Sequence, residues 1–218
     1  MNHPNPSTPA PRVRDADATR SRVLVAAEGL FARKGFDGTR LREVAELARV
    51  SVPLLVHHFK DKENLYLAVM ERGIERFASL GWEVLRQGSS VAEQLTGFVT
   101  RLIDLASQEP DLTALVHREM ATGGTRAGPA AERLLRPLKD AATQLLSHAQ
   151  SRGEVRRGVD LDMLVLSVAG SVLYPCLAAP LVRVVWNEDP QGKDFLSRQK
   201  RTLLELLMPL LVAPAQAG

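Results

Sequence analysis

Two adjacent histidines, His57 and His58, stand out in this 218-residue chain as side chains with an evident reactive capacity, as metal ligands or proton carriers. A metal site on a helix wants its ligands at i and i+4, whereas adjacent helical positions point about 100° apart. No cysteine or further histidine lies nearby, so the pair does not read as a metal centre. His117, Arg118 and Glu119 form a second cluster of acid/base type, which reads more simply as solvated or pocket-lining. The stretch ATGGTRAGP (121–129) lacks the Gly-Lys-Ser/Thr ending of a phosphate loop and reads as a flexible connection. The single cysteine, Cys176, reads as a small hydrophobe in an apolar helix. Being alone, it excludes an internal disulfide and fits a reducing cytoplasm. No Ser/His/Asp set or Cys/His pair stands at usable spacing, so the expectation is a protein that is not an enzyme, with no metal and no cofactor.

Those residues need elements to hold them, and the composition says which kind. Hydrophobic residues make up 45% and charged ones 24%, as in an ordinary globular chain. The formal charge of +3 falls entirely within residues 1–81, while residues 82–218 are balanced. A basic N-terminal part on a neutral body suits an anionic partner. The first 22 residues hold prolines and charges but no apolar run, so no signal peptide is read there.

Residues 1–15 read as a disordered tail, being rich in proline and free of apolar periodicity. From Thr19 the pattern turns helical: Val23, Ala27, Leu30 and Phe31 share a face, and Gly35 is the stop. Thr39 stands as N-cap before Leu41, Val44, Ala45 and Ala48. Ser51 stands as a second N-cap, with Pro53 in the first turn, where its missing N–H costs nothing. That helix ends near Phe59, and Asp61 caps a longer one. Short helix, tight turn, short helix is the spacing of a helix-turn-helix reader of DNA.

The stretch TRLREVAELARVSVPLLVHHFKDKENLYLAVM, preceded by RVLVAAEGLFARKGFDGT, resembles the DNA-binding domain of the tetracycline-repressor (TetR) family of bacterial regulators. The likeness runs from Thr19 to Gly73. It implies an all-α chain: a three-helix helix-turn-helix domain (16–81) and a larger helical ligand-binding and dimerisation domain (82–218). Leu55 and Phe59, four apart, should face the three-helix core. Val52, Pro53, Leu54 and His57 should then face the major groove of double-stranded DNA, with His58 packed or facing phosphate. The resemblance assigns phosphate contacts to Thr39 and Lys62; Arg40, Arg49 and Ser51 complete the expected DNA-binding set. Two residues depart from the family pattern. Val56 replaces a usual tyrosine, and Arg49 stands where a turn glycine is common. At positive φ an arginine there costs on the order of 1 kcal/mol, which its guanidinium can offset at the DNA backbone.

Beyond Gly88 the chain stays helical, without an internal repeat. Met163–Val182 is a run of twenty residues without a charge, long enough for a membrane span. Ser167, Ser171, Pro175 and Pro180 dilute it, and no membrane partner is expected. The resemblance implies instead that the last two helices pair with a second copy in a four-helix bundle. Leu164, Val168 and Val172 would supply one stripe, and Phe195, Gln199, Leu203, Leu206 and Leu210 the other. The aromatic, soft or polar residues Trp82, Phe98, His117, Met120, Tyr174 and Trp186 are the candidates for a small-molecule pocket. HREMATGGTRAGPAAERLLRPL (117–138) resembles, loosely, the effector domain of a CecR-related subgroup and names no ligand. The function so implied is a cytoplasmic, homodimeric regulator of a palindromic operator, released by a small, largely apolar effector. Repressor against activator stays open.

Overall fold

A computed structural model of the chain describes residues 11–88 and 90–211, with side chains from Asp15 onward. The helices are α1 (Pro11–Gly38), α2 (Leu41–Ala48), α3 (Val52–Phe59), α4 (Lys62–Gln87) and α5 (Val91–Gln108). They continue as α6 (Pro110–Ala121), α7 (Gly128–Ser151), α8 (Leu161–Leu177), α9 (Ala179–Val185) and α10 (Lys193–Leu207), closed by a 3-10 turn at Met208–Leu210. Two compact units result, Met1–Met70 and Glu71–Gly218, and their boundary falls inside α4, ahead of the expected one at residue 81. Of the expected tail, residues 1–10 lie outside the described residues. Helix α1 already begins at Pro11, a proline that a first turn accepts, rather than at Thr19.

In the first unit the apolar face of α1 (Val23, Ala27, Leu30, Phe31) meets Val44, Ala45 and Ala48 of α2, Leu55 and Phe59 of α3, and Leu65, Tyr66 and Val69 of α4. Gly35 does end the regular helix: it sits at φ 72, a left-handed value glycine reaches without strain. Phe31, Phe36 and Tyr66 interlock, with Tyr66 edge-on to both phenylalanines at 5.1 and 5.3 Å.

The second unit is built around α5 and α8. Val99, Leu102 and Ile103 pack on Val168 and Val172, flanked by Leu164 of α8 and Leu203, Leu204 and Leu207 of α10. A smaller cluster joins Val91, Ala149 and Val155, and an isolated β-bridge pairs Val155 with Leu211. Two glycines let neighbours sit against the backbone of α4. At Gly73 an added Cβ would stand 3.4 Å from Leu112 Cγ and well inside contact distance of its Cδ1; at Gly81 it would stand 3.0 Å from Leu138 Cδ1. The Arg76 guanidinium donates to Glu109 at 3.0 Å beside the first of these.

Three expectations for this unit are corrected. The 121–129 segment is an ordered turn: Glu119, 4% exposed, accepts the N–H groups of Arg126 and Ala127, both at 2.8 Å. The carboxylate expected to be solvated or pocket-lining is therefore buried among main-chain donors. The apolar run from Met163 is not one helix. It breaks at Ala178 and bends by 72° into α9, because a helix continued through Pro180 would drive its ring into the Cys176 carbonyl. Among the described residues no single helix is long and apolar enough to cross a membrane, although α8 and α9 together would pass by length and composition. Finally, Leu164, Val168, Val172 and Leu203 face the core of their own chain and not a free surface. Gln199 is also turned inward, its side-chain N–H group donating to the Val172 carbonyl at 3.0 Å.

Candidate nucleic-acid interface

The geometry of α3 follows from its two ends. Ser51, extended at φ −76 and ψ 149, accepts the Leu54 N–H on its hydroxyl, and Pro53 occupies the first turn. The helix stops at Phe59, so only eight residues carry the surface. Leu55 and Phe59 are buried and anchor it. Val52, Pro53, Leu54, Val56 and His57 are exposed, Val52, Leu54 and Val56 by 37–39%. His58 is half-buried, its ring 5.7 Å from His57 and 6.2 Å from Phe59. Three apolar side chains left in water on an eight-residue helix, beside two imidazoles, form a surface with methyl groups and hydrogen-bond donors side by side. That mixture suits thymine methyls and base acceptors in a major groove.

Cations surround this helix. Lys62 stands in the first turn of α4, its ammonium 4.4 Å above the Phe36 ring. Asp61 caps that turn by accepting the Asn64 N–H at 2.8 Å, and this hydrogen bond holds its carboxyl below the usual aspartate range. Arg40 is exposed at the start of α2, and Arg49 is exposed in the turn at φ 56 and ψ 48. The N–H groups of Arg49 and Val50 close the end of α2 on Glu46 and Ala45. Lys34 donates to Glu43 at 2.9 Å and holds that carboxyl below its ordinary value.

One expected helix cap is corrected here. Thr39 is not the cap of α2; Arg40 occupies that position, and Thr39 is 1% exposed with its hydroxyl donating to the Gly35 carbonyl at 2.8 Å. The hydroxyl turns back to the helix already ended by Gly35, and its burial keeps it from the surface. The partial cap is Glu43, whose side chain accepts the Arg40 N–H at 3.4 Å; a guanidinium has no acceptor to return.

The second unit carries an open groove of about 440 Å³ along α4 and α5, lined by Arg76, Ser79, Leu80, Glu83, Arg101, Asp104, Leu105 and Gln108. None of the six residues expected in a pocket lines it. His117, Met120, Tyr174 and Trp186 stand exposed on the outside, while Trp82 is half-buried and Phe98 packs against the main core. Sequence reasoning missed the groove because half of its lining is charged, and charged helical residues look like solvated surface. No group of three metal-ligating side chains occurs among the described residues.

Comparison with known proteins matches residues 23–69 to the N-terminal domain of "bacterial regulatory proteins, tetR family" and residues 92–207 to a "tetracyclin repressor-like, C-terminal domain". The chain is 24% identical over 206 residues to the HTH-type transcriptional regulator RutR of Escherichia coli K12, covering 93% of this chain and 96% of RutR. It is 29% identical over 187 residues to the HTH-type transcriptional repressor SCO4008 of Streptomyces coelicolor, covering 84% and 91%. The crystal structure of AibR in complex with isovaleryl coenzyme A and operator DNA shares the fold, with a TM-score of 0.70 at 21% identity, over 88% of this chain and 100% of AibR.

Proposed function

Because the chain belongs to the tetracycline-repressor family, and is on that ground a DNA-binding transcriptional regulator and not an enzyme, we propose that it represses transcription as a cytoplasmic homodimer on an inverted-repeat operator. The observation that carries this reading is the exposed face of α3, where Val52, Leu54 and His57 stand outward over a buried Leu55 and Phe59. Val52, Pro53, Leu54 and His57 read base edges, and Arg40, Arg49, Lys62, Ser51 and His58 position the helix on phosphates. Thr39 acts from beneath, by fixing the start of α2.

Two copies present two recognition helices to successive major grooves, with half-sites about one helical turn, ~34 Å, apart or somewhat more. The dimer face we assign is not the buried stripe of α8 but the opposite one. Met163, Leu166, Gly170 and Tyr174 recur at i, i+3, i+7 and i+11 and are all exposed, and Leu206 of α10 is 67% exposed. A monomer that leaves such residues in water has a surface for association.

Repression fits the likeness to SCO4008, a transcriptional repressor, and needs only that the bound dimer occlude a promoter. An effector releases DNA by the margin with which it prefers the unbound conformation. A small, largely apolar molecule suits the aliphatic helices of the second unit; the AibR complex holds isovaleryl coenzyme A, of which only the short acyl chain is of that kind. The finer CecR-like placement of residues 117–138 adds no ligand to this reading.

The test is footprinting on the DNA flanking the protein's own gene, at two salt concentrations. The expected result is a protected inverted repeat whose occupancy falls with salt. A verified dimer that protects nothing there, and enriches no sequence from a random library, overturns the proposal.

A further inference from the structure

Both ends of α3 carry a cation on left-handed backbone. Arg49, ahead of the helix, lies at φ 56 and ψ 48; Lys60, just behind it, lies at φ 66 and ψ −61. The second geometry is the stricter one. The Asp61 N–H donates to the Phe59 carbonyl at 2.8 Å across Lys60, which closes a three-residue γ-turn of the rare, strained hand. Glycine would take either position without strain, yet the chain places long cationic side chains at both. Among the described residues neither the Arg49 nor the Lys60 side chain has a hydrogen bond or a salt bridge, and the Lys60 charge acts only weakly on the adjacent Asp61 carboxyl. Two neighbouring cations are engaged with carboxylates, Lys34 with Glu43 and Arg42 with Glu46.

We propose that Lys60 is a phosphate contact paired with Arg49, the two bracketing the recognition helix, and that backbone strain at both positions is sustained by DNA binding. This rests on the DNA-reading assignment above. Eight residues of helix rise about 12 Å, so cations beyond the two ends of α3 stand far enough apart to meet separate phosphates at the edges of the groove that takes the helix. Strained backbone gathers at functional sites because function, and not folding, selects it. The consequence is an opposition: replacing either residue by glycine should raise stability and weaken the grip on DNA.

The experiment compares wild type, Lys60→Gly, Lys60→Gln, Arg49→Gly and the double glycine variant. Binding to a random-sequence duplex of about 40 base pairs is measured between about 50 and 200 mM salt, with thermal unfolding in parallel. Removing one phosphate-binding cation lowers the slope of log affinity against log salt by about 0.9, hence by about 1.8 for a dimer altered in both subunits. Lys60→Gly and Lys60→Gln should both lower the slope by that amount, and only the glycine variant should melt higher. An unchanged slope in both variants overturns the inference while leaving the DNA-reading assignment intact. So does a slope reduced in the glycine variant but kept in the glutamine one. A wild type that fails to bind the duplex overturns the assignment itself, and this inference with it.

Discussion

Gly73→Ala should destabilise the second unit, and Leu112→Ala should reverse the sign of that change. In the middle of α4 an alanine ordinarily stabilises by about 1 kcal/mol over glycine. Here the new methyl would stand 3.4 Å from Leu112 Cγ and closer still to its Cδ1. Leu112 is fully buried and has no room to swing away. Overpacking of this kind costs about 1–3 kcal/mol, so the net effect should be roughly 1 kcal/mol of lost stability. In a chain of this size that is about 2–4 °C in Tm. Leu112→Ala alone should cost about 2–5 kcal/mol through the cavity it leaves. In that background the Gly73 methyl meets open space and keeps only its helical advantage, so Gly73→Ala becomes stabilising by about 1 kcal/mol. The cycle then has a coupling energy of about 2 kcal/mol, well above the scatter of independent sites. Urea unfolding of the four proteins by circular dichroism, at one fixed protein concentration, reads each corner. An equal effect of Gly73→Ala in both backgrounds would refute the claim that Leu112 is what the glycine admits.

Other expectations follow from the same reasoning. Gly81→Ala should be neutral or stabilising by up to about 1 kcal/mol, because Leu138 is half-exposed and can move aside; the same urea titration checks it. Glu43, held below its ordinary pKa of 4.5 chiefly by the Lys34 hydrogen bond, contributes stability above that value, and loses it as pH falls through its folded pKa. Melting of the DNA-binding unit should therefore drop on acidification below about pH 4.5, and Glu43→Gln should flatten that dependence. Leu166→Glu and Leu206→Glu should leave helix content unchanged but give monomers in analytical ultracentrifugation that no longer protect an operator. A variant that stays dimeric would move the interface elsewhere.

Local chemistry was the legible part of this chain. Ser51 and Pro53 announce the start of α3, Gly35 the stop of α1, and Asp61 the start of α4, because each acts on backbone within a few residues of itself. Thr39 misled because two helix ends compete for one hydroxyl, and the earlier end received it. The stripe Leu164, Val168, Val172 does form one apolar face. Periodicity tells which residues share a face and not what covers it, and here the cover is α5 of the same chain. The burial of Glu119, read from sequence as solvated or pocket-lining, was not legible because its partners are main-chain N–H groups of the following turn, which leave no trace in residue type. Met120 and Trp186 have ligand-friendly side chains, but residue type does not give direction, and both stand exposed.

Phe36 has a consequence that reaches from the hydrophobic interior to the genome. Its ring stacks 6.2 Å from Phe31, takes the edge of Tyr66 and carries the Lys62 ammonium on its face. An ammonium seated on a ring has three donors and turns only part of them to the face, so the ring places the charge and leaves donors for a phosphate. The strength with which such a regulator holds its operator can therefore drift through changes in an aromatic cluster that never meets a base. On the reading proposed above, the address stays with Val52, Leu54 and His57. Volume and address are written in separate residues, and a lineage can retune one while leaving the other alone.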